Sequence, residues 1–298
     1  MKNSMGTLDV ISSEQAVTLP GLFHQRVARC PGAVAYQQYD NQSGRWQDYT
    51  WQAMATQVAR WQRALGKEGF VAGDRVAILL RNSVEWVCFE QAALASGLVV
   101  VPLYTTDTPD NIAYILADSG ARLLLVGGFE QWRALANHSQ DLSCLQRVLC
   151  LEAEGFVAED AVLRSVETWL GSVTGTSPVV HNSRSGELAT LIYTSGTTGP
   201  PKGVMLSHQN ILANAEAVLK VTPAYPQDVF LSFLPLSHAF ERTVGYYIPM
   251  MAGSRVAYSR SVKELPEDLA MIRPTVLVSV PRIYERVYAK VWEKLEQE

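Results

Sequence analysis

The stretch Leu188-Ala189-Thr190-Leu191-Ile192-Tyr193-Thr194-Ser195-Gly196-Thr197-Thr198-Gly199-Pro200-Pro201-Lys202-Gly203 decides how this chain is read. Its first six residues form an apolar run with strand character. From Tyr193 to Gly203 the chain then carries four serine and threonine hydroxyls, three glycines, two prolines and one lysine. Glycines let backbone N–H groups approach a ligand closely, hydroxyls add donors, and lysine adds positive charge. That chemistry suits a polyphosphate, although Gly/Ser/Thr/Pro clusters also serve as plain solvated loops. A Walker loop is excluded, because the fifth residue after Gly196 is Pro201 and Lys202 is followed by Gly203 rather than Ser or Thr.

Outward from this loop, the flanking pattern is that of an α/β protein. Downstream, Ser207 is positioned to cap a helix running to about Lys220, and Val229 to Phe233 reads as a strand. Ser237 is expected to cap a helix that includes His238 and ends near Gly253. Arg255 to Tyr258 and Thr275 to Val280 read as strands, with a helix capped by Ser261 and Glu264 between them. Upstream, Arg75 to Leu80, Leu98 to Val101, Leu123 to Val126 and Val148 to Leu151 are apolar runs without polar alternation. Helical segments separate them, one starting at Asn82 with Glu85 in capping-box spacing and one at Thr108-Pro109. Such strands imply a mostly parallel sheet covered on both faces. Earlier still, Val34 to Tyr39 and Trp46 to Thr50 read as a hairpin, Thr50 as a helix cap, and the first fifteen residues as a loose terminus. Gly171 to Gly186 reads as a connector.

Composition is that of an ordinary globular protein, with 48% hydrophobic and 18% charged residues and a net charge of −4. No basic run points to nucleic acid, and no apolar run reaches the roughly 18 residues of a membrane span. The polar start of the chain reads as cytoplasmic. Cys30, Cys88, Cys144 and Cys150 lack Cys-x-x-Cys spacing and are expected as reduced thiols. The last helical pattern, with Tyr284, Val287, Tyr288, Val291 and Leu295 on one face, runs to Glu298 without a stop signal and reads as a truncated series.

In parallel α/β sheets, ligands bind beyond the carboxyl ends of the strands. Three such ends carry polar residues: the opening loop, Leu234-Pro235-Leu236-Ser237-His238-Ala239-Phe240-Glu241-Arg242, and Ser279-Val280-Pro281-Arg282. On residue chemistry alone, His238 could be structural, and Glu241 with Arg242 could be a solvated pair.

Tyr193 to Gly203 resembles the phosphate-binding signature of the adenylate-forming (AMP-binding) superfamily. Phe233 to Arg242 and Val280-Pro281-Arg282-Ile283-Tyr284 resemble its long-chain fatty acyl-CoA synthetase branch, and the similarity runs from about Leu19 to the end. The resemblance implies two stacked, mostly parallel sheets flanked by helices. Residues 70–170 would form mainly the first sheet, and 20–69 with 187–298 mainly the second. It also implies ATP-dependent activation of a fatty acid to an acyl-adenylate and then an acyl-CoA, with ATP, Mg²⁺ and CoA taking part. Thr194, Ser195, Gly196, Thr197, Thr198, Gly199 and Lys202 would cradle the β- and γ-phosphates, with Thr194 near Mg²⁺. His238 would orient the acyl carboxylate. The turn after the histidine reads Phe240-Glu241-Arg242-Thr243, so no aromatic tunnel gate is assigned. The family's adenine motif, ribose aspartate and lid lysine have no counterpart here. The chain alone is therefore expected to be inactive, with a flexible loop and little affinity for ATP. Other carboxylate-adenylating enzymes, with aryl, amino or short acyl acids, and a non-catalytic nucleotide-binding or interaction module remain as alternatives. Acyl chain length, oligomeric state and peripheral contact with a membrane are left open.

Overall fold

The computed structural model describes residues 7–138, 142–152, 161–172, 178–194, 199–285, 288 and 292. The chain opens with α1 (Ser13–Ala16) and α2 (Leu19–Arg29), the hairpin of β1 (Val34–Asp40) and β2 (Arg45–Thr50), and α3 (Trp51–Leu65). A strand–helix alternation follows: β3 (Arg75–Leu79), α4 (Val84–Ala95), β4 (Val99–Pro102), α5 (Pro109–Ser119), β5 (Ala121–Gly128) and α6 (Phe129–His138). Next come β6 (Arg147–Glu152), β7 (Leu163–Ser165), α7 (Val166–Leu170), β8 (Leu188–Thr194), β9 (Lys202–Ser207) and α8 (His208–Val221). The last part holds β10 (Val229–Ser232), α9 (Ala239–Glu241), a π-helix over Arg242–Tyr247, α10 (Ile248–Ala252), β11 (Arg255–Tyr258) and α11 (Leu265–Ile272).

Two sheets result. The larger has the order β7-β6-β5-β3-β4-β8-β9, parallel except for β9, and the smaller has the order β10-β11-β1-β2, parallel except for β2. Leu188–Thr194 and Lys202–Ser207, expected with the second sheet, belong to the first. The physical reason is that β9 pairs back antiparallel on β8, with Thr194 opposite Lys202. Antiparallel return needs only a short connection, and so keeps both strands in one sheet.

The faces of β3 explain the layering. Val76 and Ile78 enter the main core with α4, whereas Ala77 and Leu79 enter a second core with Ile112 and Leu116 of α5. The helices that follow adjacent β3 and β4 thus cover opposite faces, which opens a crevice at their carboxyl ends. The main core reaches across to the small sheet through Tyr36, Phe230, Val256 and Tyr258. Between the sheets lies α4, buried on every side from Trp86 to Ala95, with Glu90 and Gln91 wholly inside.

Other expectations need correction. Within the terminus expected to be loose, residues 11–15 are held in place: Ser12 and Gln15 form a capping box for α1, and Ile11 is buried with its N–H donating to the Met251 carbonyl at 2.9 Å. Asp9 pairs with Arg26, whose buried guanidinium also bonds the Met250 and Met251 carbonyls. Ser83, not Asn82, caps α4. Thr275 to Val280 forms one bridge, Phe230 to Val276, instead of a strand, because Thr275 and Val276 both donate to the same Val229 carbonyl. The final helix is described over 281–285 and at Tyr288 and Trp292, so most of its expected stripe lies outside the described residues.

Candidate active site

At the loop, Tyr193 is fixed by donating its hydroxyl to Asp118 Oδ2 at 2.6 Å, and burial with that carboxylate pushes its pKa up. Gly203 lies under the Tyr193 ring: a Cβ there would stand 3.0 Å from the ring carbon Cζ. Thr194 emerges exposed at the carboxyl end of β8. Gly199 (φ +126°) and exposed Lys202 stand on the return. Ser195, Gly196, Thr197 and Thr198, together with the expected loop flexibility, lie outside the described residues.

His238 comes from the other sheet, six residues beyond the end of β10. It, not Ser237, is the N-cap of α9: its Nδ1 accepts the Phe240 N–H at 3.2 Å. The helix expected to run unbroken to Gly253 is instead three-residue α9, the π-helix and α10, closed by Gly253 in the left-handed conformation. The exposed His238 ring meets the Tyr104 ring edge-on, with centroids 6.5 Å apart. Tyr104 lies on the exit of β4, and β4 runs parallel to β8 with Val100 opposite Thr190. The hairpin and the histidine therefore face the same edge of the large sheet.

Asn82, on the exit of β3, ties the two sheets together. Its Nδ2 donates to Ser232 Oγ at 3.0 Å and to the Leu234 carbonyl at 2.7 Å, while Oδ1 accepts the Leu236 N–H at 2.9 Å. A cleft of 600 Å³ opens beside it, reaching Phe233, Pro235 and Ser237, and adjoins one of 1080 Å³ under the β1–β2 hairpin. Thr194, Lys202 and His238 line neither cleft.

Glu241 and Arg242 are not a solvated pair, since each is 1% exposed. Arg242 pairs with Glu90 of α4 and donates to Thr190 Oγ1 at 2.7 Å, and Thr190 donates to the Val100 carbonyl at 2.6 Å. Tyr247 also donates to Glu90, at 3.0 Å. Burial alone would lower the Arg242 pKa, but the Glu90 carboxylate reverses this and holds it up. Glu241 accepts the Ser232 hydroxyl at 2.6 Å, and burial pushes its carboxyl up to about 7. Asn82, Tyr104, Thr190 and Ser232 are not apparent as site residues from sequence. Their common signal is position at or just past the ends of β3, β4 and β10, or in the strand before the loop.

A family model described as AMP-binding enzyme matches residues 23–297. The chain belongs to the AMP-binding enzyme family. Within this family it is 33% identical over 263 residues to the long-chain-fatty-acid–CoA ligase FadD15 of Mycobacterium bovis, which covers 87% of this chain and 42% of that protein. Fatty acyl-CoA synthetase A of Dictyostelium discoideum is 32% identical over 253 residues, covering 82% of this chain and 38% of that protein. The chain thus spans well under half the length of these relatives. The AMP-binding fold is also shared with the anthranilate CoA ligase AuaEII, solved in complex with anthranoyl-AMP. The TM-score is 0.78 at 20% identity, over 87% of this chain and 49% of that one.

Proposed function

We propose that the chain carries the phosphate loop and the acyl-orienting turn of an ATP-dependent long-chain fatty acid–CoA ligase. The observation that carries this reading is the meeting of His238 with Tyr104, which brings the small sheet's histidine turn to the strand end beside the β8–β9 loop. The names of the two relatives support the long-chain acyl class.

In this reading a fatty carboxylate oxygen attacks the α-phosphorus of ATP. The bond to the bridging oxygen breaks, giving acyl-adenylate and pyrophosphate. The CoA sulfur then attacks the acyl carbon and AMP leaves. Both steps gain from charge neutralisation and from held geometry. Thr194, Ser195, Gly196, Thr197, Thr198, Gly199 and Lys202 receive the β- and γ-phosphates, and His238 orients the carboxylate. Thr194 offers one exposed hydroxyl to a metal, and no group of three His, Cys, Asp or Glu suited to a metal stands among the described residues. That fits a Mg²⁺ ion that arrives with the nucleotide, since Mg²⁺ is commonly held by substrate phosphates and few protein oxygens. Bound there, the ion would neutralise phosphate charge. Among the described residues no helix is long and apolar enough to cross a membrane; a cytoplasmic site of action is part of the proposal.

Two measurements test it. Dodecanoate or palmitate should raise the chain's melting temperature, and benzoate or amino acids should not; the reverse order contradicts the long-chain assignment. Pyrophosphate release with oleate, ATP and CoA should be absent for these 298 residues alone. Turnover would contradict the expectation that adenine and lid contacts are required.

A further inference from the structure

The turn that carries His238 is held by polar groups, half-buried at Asn82 and buried at Ser232 and Glu241, to which the proposed chemistry gives no role. Asn82 grips it by the Ser232 hydroxyl, the Leu234 carbonyl and the Leu236 N–H. Ser232 passes the chain of bonds on to Glu241 Oε1, while Glu241 Oε2 is buried without a hydrogen-bond partner. Room for that carboxyl exists because residue 245 is glycine: a Cβ there would stand 2.2 Å from Oε1. Glu241 directly follows Phe240, so anchoring its side chain restrains the residue whose N–H donates to His238. Within the turn, the His238 N–H donates to the Pro235 carbonyl at 2.9 Å and the Arg242 N–H to the His238 carbonyl at 3.0 Å.

The consequence lies in the imidazole. Its Nδ1 accepts the Phe240 N–H. A neutral imidazole whose Nδ1 is an acceptor carries its proton on Nε2. The exposed ring then offers a donor, the polarity that an incoming carboxylate needs.

We infer that Asn82, Ser232 and Glu241 are positioning residues that lock the 232–241 turn and thereby hold His238 in the Nε2–H tautomer toward the acyl carboxylate. This rests on the reading of His238 as the acyl-orienting group. In this inference the three act through the ring. A general contribution to stability would not select a tautomer, and so the tautomer is the readout.

The test uses the 298-residue chain with ring-¹⁵N-labelled histidine, observed with the His238 ring neutral. Wild type and Glu241→Gln, which keeps an acceptor at Oε1, should show a single Nε2–H tautomer. Ser232→Ala and Asn82→Ala should show mixed tautomers, with exchange of the Phe240 amide faster by about tenfold or more. Retention of the single tautomer in either alanine variant, once its folded state is confirmed by urea titration, would overturn the inference. So would a mixture in wild type or in Glu241→Gln. Added dodecanoate separates the two levels: a locked tautomer that no fatty acid perturbs supports the positioning role and refutes the acyl-orienting one.

Discussion

Glu241 and Arg242 are neighbours in the chain and serve different partners in the core. Arg242 reaches Glu90 and Thr190 in the larger-sheet layer, and Glu241 reaches Ser232 at the end of the small sheet. Removing one member of a buried ion pair strands the other, which typically costs about 3–5 kcal/mol. Arg242→Met should therefore lower unfolding free energy by about that amount in urea titration, and the double variant Glu90→Leu/Arg242→Met by clearly less. A Cβ at residue 245 would overlap the Glu241 carboxyl, so Gly245→Ala should destabilise by about 1–3 kcal/mol. At this scale the sequence showed which polar residues lie at strand ends, because those ends are marked by Pro235 and by the loop glycines. It did not show where Glu241 and Arg242 point, since adjacency carries no information about which layers flank a helix. The π-helix that begins at Arg242 shifts the ordinary helical phase as well.

Helix ends explain the pH behaviour expected of the elements. The Leu19 N–H at the start of α2 has no partner within its helix and donates to Nδ1 of buried His208, the first residue of α8, at 3.3 Å. Burial pulls the His208 pKa down from 6.5 to about 4. The unfolded chain binds that proton first, so the His208 contribution is full above pH 6.5 and is lost as pH falls toward 4. Glu241 has the opposite sign: burial raises it from 4.5 to about 7, so its favourable contribution is present below pH 4.5 and is lost as pH rises toward 7. Urea titrations between these limits should show His208→Gln losing stability less on acidification than wild type. Glu241→Gln should lose more on acidification than wild type, because the opposing contribution is gone. Capping signals at Thr50, Thr108 and Ser207 were legible because a hydroxyl before an apolar period has a local cause. The strand β9 was not, since Lys202 to Ser207 is an exposed edge whose pairing depends on β8, not on its own pattern.

At the level of the molecule, the α/β class followed from the unalternating strands, whereas membership of the two sheets did not. The small sheet joins β1 to β11, with Tyr36 beside Val256, a pairing across most of the chain that no local pattern encodes. One core spans both sheets through α4, from Val76 and Leu123 to Phe230 and Tyr258. Calorimetry should accordingly give a single unfolding transition; two separable transitions would show that the sheets are independent units.

The histidine turn and the hairpin are proposed to serve the activation of a long-chain acid. Ring-labelled histidine spectra recorded while dodecanoate is added test it most directly. The His238 ring signals should move with dodecanoate and stay still with benzoate at the same concentration. Equal movement with benzoate, or none with dodecanoate, would contradict it.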